Sequence, residues 1–234
     1  MPSLTTCPIL HQDQWLIVVN KPCGVLSHPN AQGKPQRAAF EGRYDLERKC
    51  FRSPAGSVWL VHRLDQDTSG VLVGALDEET ARRCREAFEA GQVGKQYIAL
   101  VSGSPQSQGT WRDSLVISRD KNRVRTEVKR GGRPNAELHY RVVRQNREQR
   151  IAMLEIDLIT GRTHQIRVQA ASRHLPVVGD DVYGDFDLNR RLKKTLGIRR
   201  LCLHSQRIDI PHPTTGKPLR VIAPLPEELS ALVP

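Results

Sequence analysis

The chain has 234 residues, of which 38% are hydrophobic and 26% charged, and this balance suits one large or two small globular domains. No stretch approaches the roughly 18 consecutive apolar residues that a membrane-spanning helix needs, and the N-terminal residues lack the pattern of a secretion signal. The five cysteines occur singly, which argues against a zinc module. Unclustered thiols are typical of a reducing compartment, so we expect a cytoplasmic protein.

The chain is strongly basic, with a formal net charge of +11 and a sequence pI near 9.9. Of its 36 basic residues, 27 are arginine and 9 are lysine. Arginine suits the recognition of phosphates and bases, so nucleic acid or another polyanion is one expected partner. A basic surface without such a partner would have the same composition, and the charge alone leaves both interpretations open.

The first third of the chain reads mainly as strands. β-rich residues at 14–20 end in a turn signal, and apolar runs at 57–61 and 71–76 flank a polar segment. Residues 29–57 hold Pro, Gly and mixed charges with weak periodicity, and we interpret them as loops with one short helix. A further strand is predicted at 95–101.

The clearest helix follows the strand at 71–76. Asp77 is a plausible N-cap, Glu78 and Glu79 suit the positive helix start, and Gly91 or Gly94 can end the helix. Apolar residues recur at helical spacing and should face the core, namely Ala81, Cys84, Ala87 and Phe88.

The second half continues with strands and a few helices. The pattern predicts a turn at residue 160 that leads into a helix reaching about His174, and a short last helix that starts at Pro226. Strands are predicted at 136–144, 151–158, 201–210 and 219–223. This arrangement favours the α+β class, with a mixed, mainly antiparallel sheet, flanking helices and a basic cleft, and with residues 1–234 forming one domain.

Two segments concentrate the basic residues. Residues 119–133 contain seven Lys or Arg, among them Arg123, Arg125, Lys129 and Arg130. We interpret this segment as an RNA-facing hairpin or arm, while a solvated polar loop is the alternative. The second segment, residues 190–200, begins with Arg190 and Arg191.

Residues 61–70 place Asp65 two residues after Arg63, between two apolar runs. A carboxylate near an arginine stays ionised and could act as a nucleophile or base, or it could form a salt bridge that clamps a turn. Spacing alone does not decide between the two. A calcium loop is excluded because its twelfth position is Leu76, and turn capping explains the acidic residues at 180–187 better than a metal does. Fingerprints of nucleotide binding are absent from the sequence.

The segment His62-Arg63-Leu64-Asp65, followed by Thr68-Ser69-Gly70, is very similar to the signature of the RluA-type pseudouridine synthases. Asn20-Lys21-Pro22-x-Gly24 resembles the first motif of that family, and Lys95-x-Tyr97 resembles its tyrosine motif. Residues 160–167 resemble its third motif, and His204 with the His212-Pro213 turn resembles its C-terminal segment. The matches follow the family's order and span about residues 15–224.

The resemblance implies a role for each matching residue. Asp65 corresponds to the catalytic aspartate, which attacks C1′ of the target uridine or removes the C2′ proton. Tyr97 corresponds to the tyrosine that stacks on the target base and takes part in proton transfer, and Arg167 to the arginine that pairs with the aspartate. Arg63 corresponds to the residue that enters the RNA stack when the base leaves it, and Val178 to an apolar wall of the pocket.

The expected protein is therefore an enzyme that isomerises uridine in structured rRNA or tRNA, as a monomer without cofactor or metal. His62, Arg162 and His164 join the expected RNA contacts because they lie in the matching motifs. The chain starts almost directly at the first motif, so we expect it to lack the S4-type RNA-binding domain of many relatives. A non-catalytic RNA-binding or RNA-folding module on the same scaffold is the alternative, and it would not need Asp65.

Overall fold

The computed structural model describes residues 3–29, 37–120 and 123–233, excluding the side chains at positions 119, 120, 123 and 124. The described strands, in chain order, are β1 (Ile9–Gln12), β2 (Leu16–Lys21), β3 (Arg43–Asp45), β4 (Cys50–Ser53), β5 (Gly56–Leu60), β6 (Ser69–Ala75), β7 (Gly94–Ser102), β8 (Gln108–Asp120), β9 (Arg123–Lys129), β10 (Ala136–Asn146), β11 (Ile151–Leu158), β12 (Leu203–Pro211) and β13 (Pro218–Ile222). The described helices are α1 (Glu78–Glu89), α2 (Gln165–Ala171), α3 (Phe186–Leu196) and α4 (Glu227–Ser230). Strands outnumber helices, and the predicted α+β class with a mainly antiparallel sheet is confirmed.

The chain folds into two compact units, each assembled from two separate segments. The first unit contains Met1–Gly94 and Ser205–Pro224, and the second contains Lys95–His204 and Leu225–Pro234.

In the first unit, β6 is the central strand. It pairs antiparallel with β2 and β5, while β1 pairs with β2, and the strands β3, β4 and β5 form a meander. All seven residues of β6 are buried, as expected of a strand covered on both faces. Apolar side chains of β2, β6 and β12 pack with the buried face of α1 to form the core of this unit.

The strand pair β3–β4 corrects the sequence prediction for residues 29–57. A loop region with one short helix was expected, but residues 43–53 form two short antiparallel strands, while residues 30–36 lie outside the described part. The strands are stabilised by tertiary packing, because Cys50 and Phe51 are buried and Phe51 contacts the ring of Phe40. Weak local periodicity gave little indication of that packing.

In the second unit, β7, β11, β10 and β8 lie side by side as antiparallel neighbours, and β9 forms a hairpin with β8. The core packs around Leu100, Met153 and Val178, together with Leu188 and Leu192 of α3. Of the forms expected for the basic segment, the pairing of β8 with β9 confirms the hairpin, although residues 121 and 122 lie outside the described part. That it faces RNA stays a prediction.

Two helices of the second unit differ from the predictions. The helix expected to reach about His174 ends at Ala171, where Leu175 donates to the carbonyl of Ala170 and His174 adopts a left-handed φ of 58°. Helix α3 was not predicted, since only Leu188 and Leu192 mark its buried side and the other positions are mostly polar. In the described part of the chain no helix is long and apolar enough to span a membrane.

Candidate active site

Asp65 lies in the loop that joins β5 to β6 in the first unit. The loop turns at Asp65, whose carbonyl accepts a hydrogen bond from the Thr68 amide at 3.1 Å. Leu64, next to the carboxylate, is fixed by Ser27, whose Oγ donates to the Leu64 carbonyl at 2.8 Å and accepts from its amide at 3.0 Å. The backbone on both sides of Asp65 is therefore held in place, while the residue itself is only half-buried.

Lys21 connects the first motif to this loop. Its side chain is 0% exposed, and its Nζ donates to the carbonyls of Pro22, Val25 and Gln66 at 3.1, 2.7 and 2.8 Å. An ammonium group has three donors, and three carbonyl oxygens accept them. Gln66 also accepts from the Gly24 amide at 3.0 Å, so the residue after Asp65 is bound twice by the first motif.

Burial lowers the pKa of Lys21 from 10.5 to about 8, although the nearby carboxylates of Asp65 and Asp67 act in the opposite direction. A pKa that is lower in the folded than in the unfolded state means that protonated Lys21 reduces stability below pH 8. This cost disappears as the pH rises from 8 towards 10.5.

We therefore expect the free energy of unfolding of the wild type, relative to Lys21→Met, to increase by about 2 kcal/mol between pH 8 and pH 9.5. Urea denaturation at a series of pH values measures this difference. Lys217→Met alters an exposed lysine and should show no such dependence on pH. A difference between wild type and Lys21→Met that stays constant across this range would contradict the shifted pKa.

Gly70 is the second residue of β6, the strand that leaves the loop, and its position leaves no room for a side chain. It has a φ of +112°, and a Cβ built there would lie 2.1 Å from the carbonyl oxygen of Ser205. Thr68 and Ser69 beside it are buried. The Thr68-Ser69-Gly70 part of the signature thus shapes the turn and its close approach to β12.

Gly70→Ala should therefore destabilise the protein by at least about 3 kcal/mol, because both the φ value and the contact with Ser205 become unfavourable. Thermal and urea denaturation measure the loss. Gly216→Ala is the matched control, since Gly216 also has a positive φ of +68° but open space around its Cβ position. Equal losses for the two variants would show that the close approach to Ser205 is unimportant.

His62 and Arg63 precede Asp65 and have different surroundings. The Nε2 of His62 accepts the Val73 amide at 3.1 Å, and its ring stacks on Phe88 with centroids 4.9 Å apart. A neutral His62 therefore carries its proton on Nδ1. Arg63 is exposed, and its Nη1 lies 3.1 Å from Nε2 of His28. Of these two expected RNA contacts, Arg63 offers the more accessible side chain.

In the second unit, Arg167 lies on α2 and forms a buried, bidentate ion pair with Asp180. The Nε and Nη2 atoms donate to the two carboxylate oxygens at 2.7 and 2.9 Å. Arg167 is 6% exposed and Asp180 0%. Burial raises the pKa of Asp180, but hydrogen bonds from Arg167 and from the amides of Tyr183 and Val182 outweigh it and hold the pKa below its usual value. The pair fixes the plane of the guanidinium.

Tyr183 contacts three of the expected site residues, Arg167, His164 and Arg125. The Arg167 guanidinium lies 5.3 Å from the centre of the Tyr183 ring, and Nδ1 of His164 lies 3.0 Å from its hydroxyl oxygen. That oxygen accepts the Thr126 amide of β9 at 2.8 Å, and the Arg125 guanidinium lies 5.9 Å from the ring centre. The basic hairpin is thereby tied to the start of α2.

Tyr97 and Val178 both lie in the interior of the second unit. Tyr97 is in β7 opposite Ile156 of β11 and is 8% exposed. Val178 is 1% exposed, and its backbone bonds to Leu100 and Cys202. The Val178 side chain packs in the core cluster, so it has almost no surface to offer to RNA.

The other basic residues expected at the RNA are exposed side chains of the second unit. Arg162 precedes α2 rather than belonging to it, and its Nε donates to the Asn135 carbonyl at 3.1 Å. Arg190 pairs with Asp187 at 3.2 Å on the surface of α3. The remaining exposed members are Arg125, Lys129, Arg130 and Arg191. Arg123 belongs to β9, but its side chain lies outside the described part.

Two of the acidic residues at 180–187, Asp180 and Asp185, accept backbone amides, as turn capping predicted. Asp185 is the N-cap of α3 and accepts the Leu188 amide at 2.9 Å, and Asp180 pairs with Arg167. Among the described residues, no group of three or more His, Cys, Asp or Glu side chains is arranged to hold a metal ion.

Sequence reasoning missed three residues that organise these sites. Lys21 was seen only as part of a motif, and its burial had no local signal. Asp180 was treated as one of several capping acids, and Tyr183 was not considered. A Gly-Asp pair followed by a Tyr three residues later, after a buried run, is the one signal that could have indicated the cluster.

Known proteins resemble this chain over nearly its whole length. The RNA pseudouridylate synthase family matches residues 15–172. Ribosomal large subunit pseudouridine synthase D of Xanthomonas campestris pv. campestris is 36% identical over 231 residues, which cover 96% of this chain and 68% of that protein. The tRNA pseudouridine synthase C of Salmonella typhimurium is 34% identical over 229 residues, which cover 94% of this chain and 85% of that protein.

A solved structure agrees with these sequence matches. Human RNA Pseudouridylate Synthase Domain Containing 4 superimposes with a TM-score of 0.70 at 26% identity, and the match covers 95% of this chain and 90% of that one. The family match, the two relatives and the fold of the solved structure agree with one another. The chain therefore belongs to the RNA pseudouridylate synthase family, as a member of its RluA-type group.

Proposed function

We propose that this protein converts uridine to pseudouridine in folded rRNA or tRNA, with Asp65 as the reacting carboxylate. The observation that carries this proposal is the loop of Asp65, held on one side by Ser27 and on the other by the buried ammonium of Lys21. A carboxylate on such a fixed backbone is preorganised to meet a ribose. The relatives act on both RNA classes by name, so either is a candidate substrate.

The reaction itself balances without a co-reactant. The C1′–N1 bond breaks, the uracil turns, a C1′–C5 bond forms, and C5 loses a proton while N1 gains one. Asp65 acts either by adding to C1′ or by removing the C2′ proton, and both routes need the ionised carboxylate. Nothing is oxidised or reduced overall, so we propose a reaction without cofactor or metal.

We assign Tyr97 and Arg167 to the same reaction on the strength of the motifs that contain them. Tyr97 stacks on the uracil and takes part in the proton transfer at C5. Arg167 pairs with the catalytic carboxylate and keeps it ionised, a role that suits a guanidinium whose plane Asp180 already fixes. The Arg167 guanidinium also lies over the ring of Tyr183, 5.3 Å from its centre.

RNA binding rests on arginine. Arg63 takes the place of the displaced uridine in the stack, which offsets the few kcal/mol that unstacking costs. His62, Arg162, His164 and the basic side chains of the β8–β9 hairpin and of α3 complete the proposed contacts, and Val178 supports the pocket from the core. Binding should weaken steeply with salt, as phosphate contacts do.

The test is release of tritium from RNA labelled at C5 of uridine, because the C5 hydrogen leaves in every turnover. Wild-type protein is incubated with labelled transcripts of rRNA and tRNA, and the modified position is mapped. Release from at least one RNA is expected. Binding without release from any rRNA or tRNA would overturn the proposal and favour a non-catalytic RNA-binding module instead.

We further propose that the protein works in the cytoplasm as a monomer, with both compact units acting as one catalytic domain. The family match spans residues 15–172 and so draws on both units. Buried thiols such as those of Cys7, Cys50 and Cys84 suit a reducing compartment. Light scattering on the purified protein and cell fractionation test the two statements.

A further inference from the structure

A cavity of about 590 Å³ opens beside Arg63 in the first unit. It lies between the β3–β4 turn, the start of the Asp65 loop and the end of α1, and the catalytic chemistry does not use it. Its volume falls within the range of pockets that bind small molecules or single nucleotides. Arg63 forms part of its lining, so the cavity adjoins the residue proposed to enter the RNA stack.

Four of the side chains that line the cavity carry a ring, namely His28, Tyr44, His62 and Phe88. His28 and Tyr44 are stacked with centroids 5.1 Å apart and an interplanar angle of 13°, and Tyr44 rests on Phe51 at 4.8 Å. The stacked pair of His62 and Phe88 also lines the cavity. Rings fixed by their neighbours are platforms on which an unpaired base can stack.

The cavity also carries positive charge and one exposed apolar side chain. Lys49, Arg63 and Arg85 line it, against a single carboxylate, Glu89. The Arg85 guanidinium donates to the Leu60 carbonyl at 2.9 Å, a bond that does not neutralise its charge. Leu46 is 58% exposed at the rim, where a planar base could cover it. Rings with interleaved cations suit a single-stranded nucleotide better than an acidic peptide, which would leave the rings uncovered.

We propose that this cavity binds an unpaired nucleotide of the RNA substrate other than the target uridine. Its base stacks against the His28–Tyr44 platform and covers Leu46, and its phosphate lies near Lys49. When Arg63 enters the RNA stack, a nucleotide next to the target uridine can become unstacked. The cavity then provides a binding site for that unstacked nucleotide. The site would therefore select RNA by the nucleotides next to the modified one, and the proposal rests on the enzyme acting on RNA.

Steady-state kinetics on a transcript that the wild type modifies tests the site with two variants. Leu46→Asp puts a negative charge at the rim, and Lys49→Gln removes one phosphate contact. Each should raise KM about tenfold and leave kcat within about twofold, because neither residue touches the reacting atoms. Lys49→Gln should also reduce the slope of log affinity against log salt by about one. Ile222→Asp and Lys217→Gln, which change exposed residues of the same unit, are the matched controls.

Ultraviolet crosslinking to the same transcript identifies the occupant. We expect a crosslink between the peptide of residues 43–49 and a nucleotide that is not the target uridine. Unchanged KM in both variants would overturn the proposal, and so would a crosslink from this peptide to the target uridine itself. If millimolar uridine or adenosine 5′-monophosphate competes with RNA in the wild type but not in Leu46→Asp, the cavity is a site for free nucleotides, and this result would also overturn the proposal. In all these outcomes tritium release by the wild type still reports on the activity separately.

Discussion

Asp65→Asn should reduce kcat/KM for pseudouridine formation by at least about 1000-fold, because an amide neither adds to C1′ nor takes the C2′ proton at useful rates. The substitution keeps the shape of the side chain, and the loop is fixed through Ser27 and Lys21 rather than through the Asp65 carboxylate alone. The folded state should therefore survive. Removal of a negative charge beside a polyanion should leave the Kd for RNA unchanged or lower it.

Asp67→Asn is the matched control. Asp67 lies two residues further along the same turn, is exposed, and also raises the pKa of Lys21, so both variants make the same change in charge. Tritium release gives kcat/KM, and a filter-binding assay gives Kd for each variant. The Asp67 variant should keep its activity within a few-fold. Full activity of Asp65→Asn, or equal losses in the two variants, would refute the role assigned to Asp65.

Local signals predicted the elements that depend on local chemistry. Asp77 caps α1 as expected, with its side chain accepting the Thr80 amide at 2.8 Å, and Gly91 follows the helix with a φ of +70°. The strands on both sides of the Asp65 loop were predicted because short apolar runs bounded by turn residues are typical of buried strands. The motif residues were identified through the resemblance to the family, which can be seen because each motif is a short contiguous segment.

What the sequence could not predict depends on partners far away in the chain. The three carbonyls that bind Lys21 come from residues up to 45 positions away. The residues next to Lys21 in the sequence therefore do not indicate that its side chain is buried. Helix α3 looked like a basic cluster because its two buried leucines, Leu188 and Leu192, face a core built from other strands. The ion pair between Arg167 and Asp180 could not be predicted either, because the two residues are 13 positions apart and Asp180 is one of several acidic residues in its segment.

Asp180→Ala should lower the free energy of unfolding by about 3–5 kcal/mol, because it removes the carboxylate that accepts two donors of a buried guanidinium. It also removes the acceptor of the Val182 and Tyr183 amides, at 2.8 and 2.9 Å. Urea denaturation at pH 7 measures the loss. Asp187→Ala breaks the exposed pair with Arg190 and should cause no measurable change. A similarly small effect for Asp180→Ala would mean that the buried pair is not a stabilising contact.

Low pH should remove the contribution of the Arg167–Asp180 ion pair to the free energy of unfolding. The folded-state pKa of Asp180 is lower than its usual value, so the stability that the pair contributes is complete above about pH 4 and disappears as the pH falls through the folded-state pKa. Asp180→Asn has no carboxylate to protonate. The gap in stability between wild type and Asp180→Asn should therefore narrow below pH 4, and a gap that is constant down to pH 2 would assign the effect to lost packing.

Activity separates a positioning role of Asp180 from a merely structural one. Asp180→Asn can still accept the Val182 and Tyr183 amides through one oxygen, but it holds the Arg167 guanidinium by a single neutral contact. Under conditions in which both proteins are fully folded, kcat should fall about tenfold or more while KM for RNA changes little, because the lost orientation matters to the catalytic carboxylate and not to the phosphates. Arg167→Lys, which keeps the charge but not the planar two-point contact, should lose kcat in the same way. If Asp180→Asn is less stable but has normal kcat when folded, Asp180 stabilises the unit without positioning Arg167.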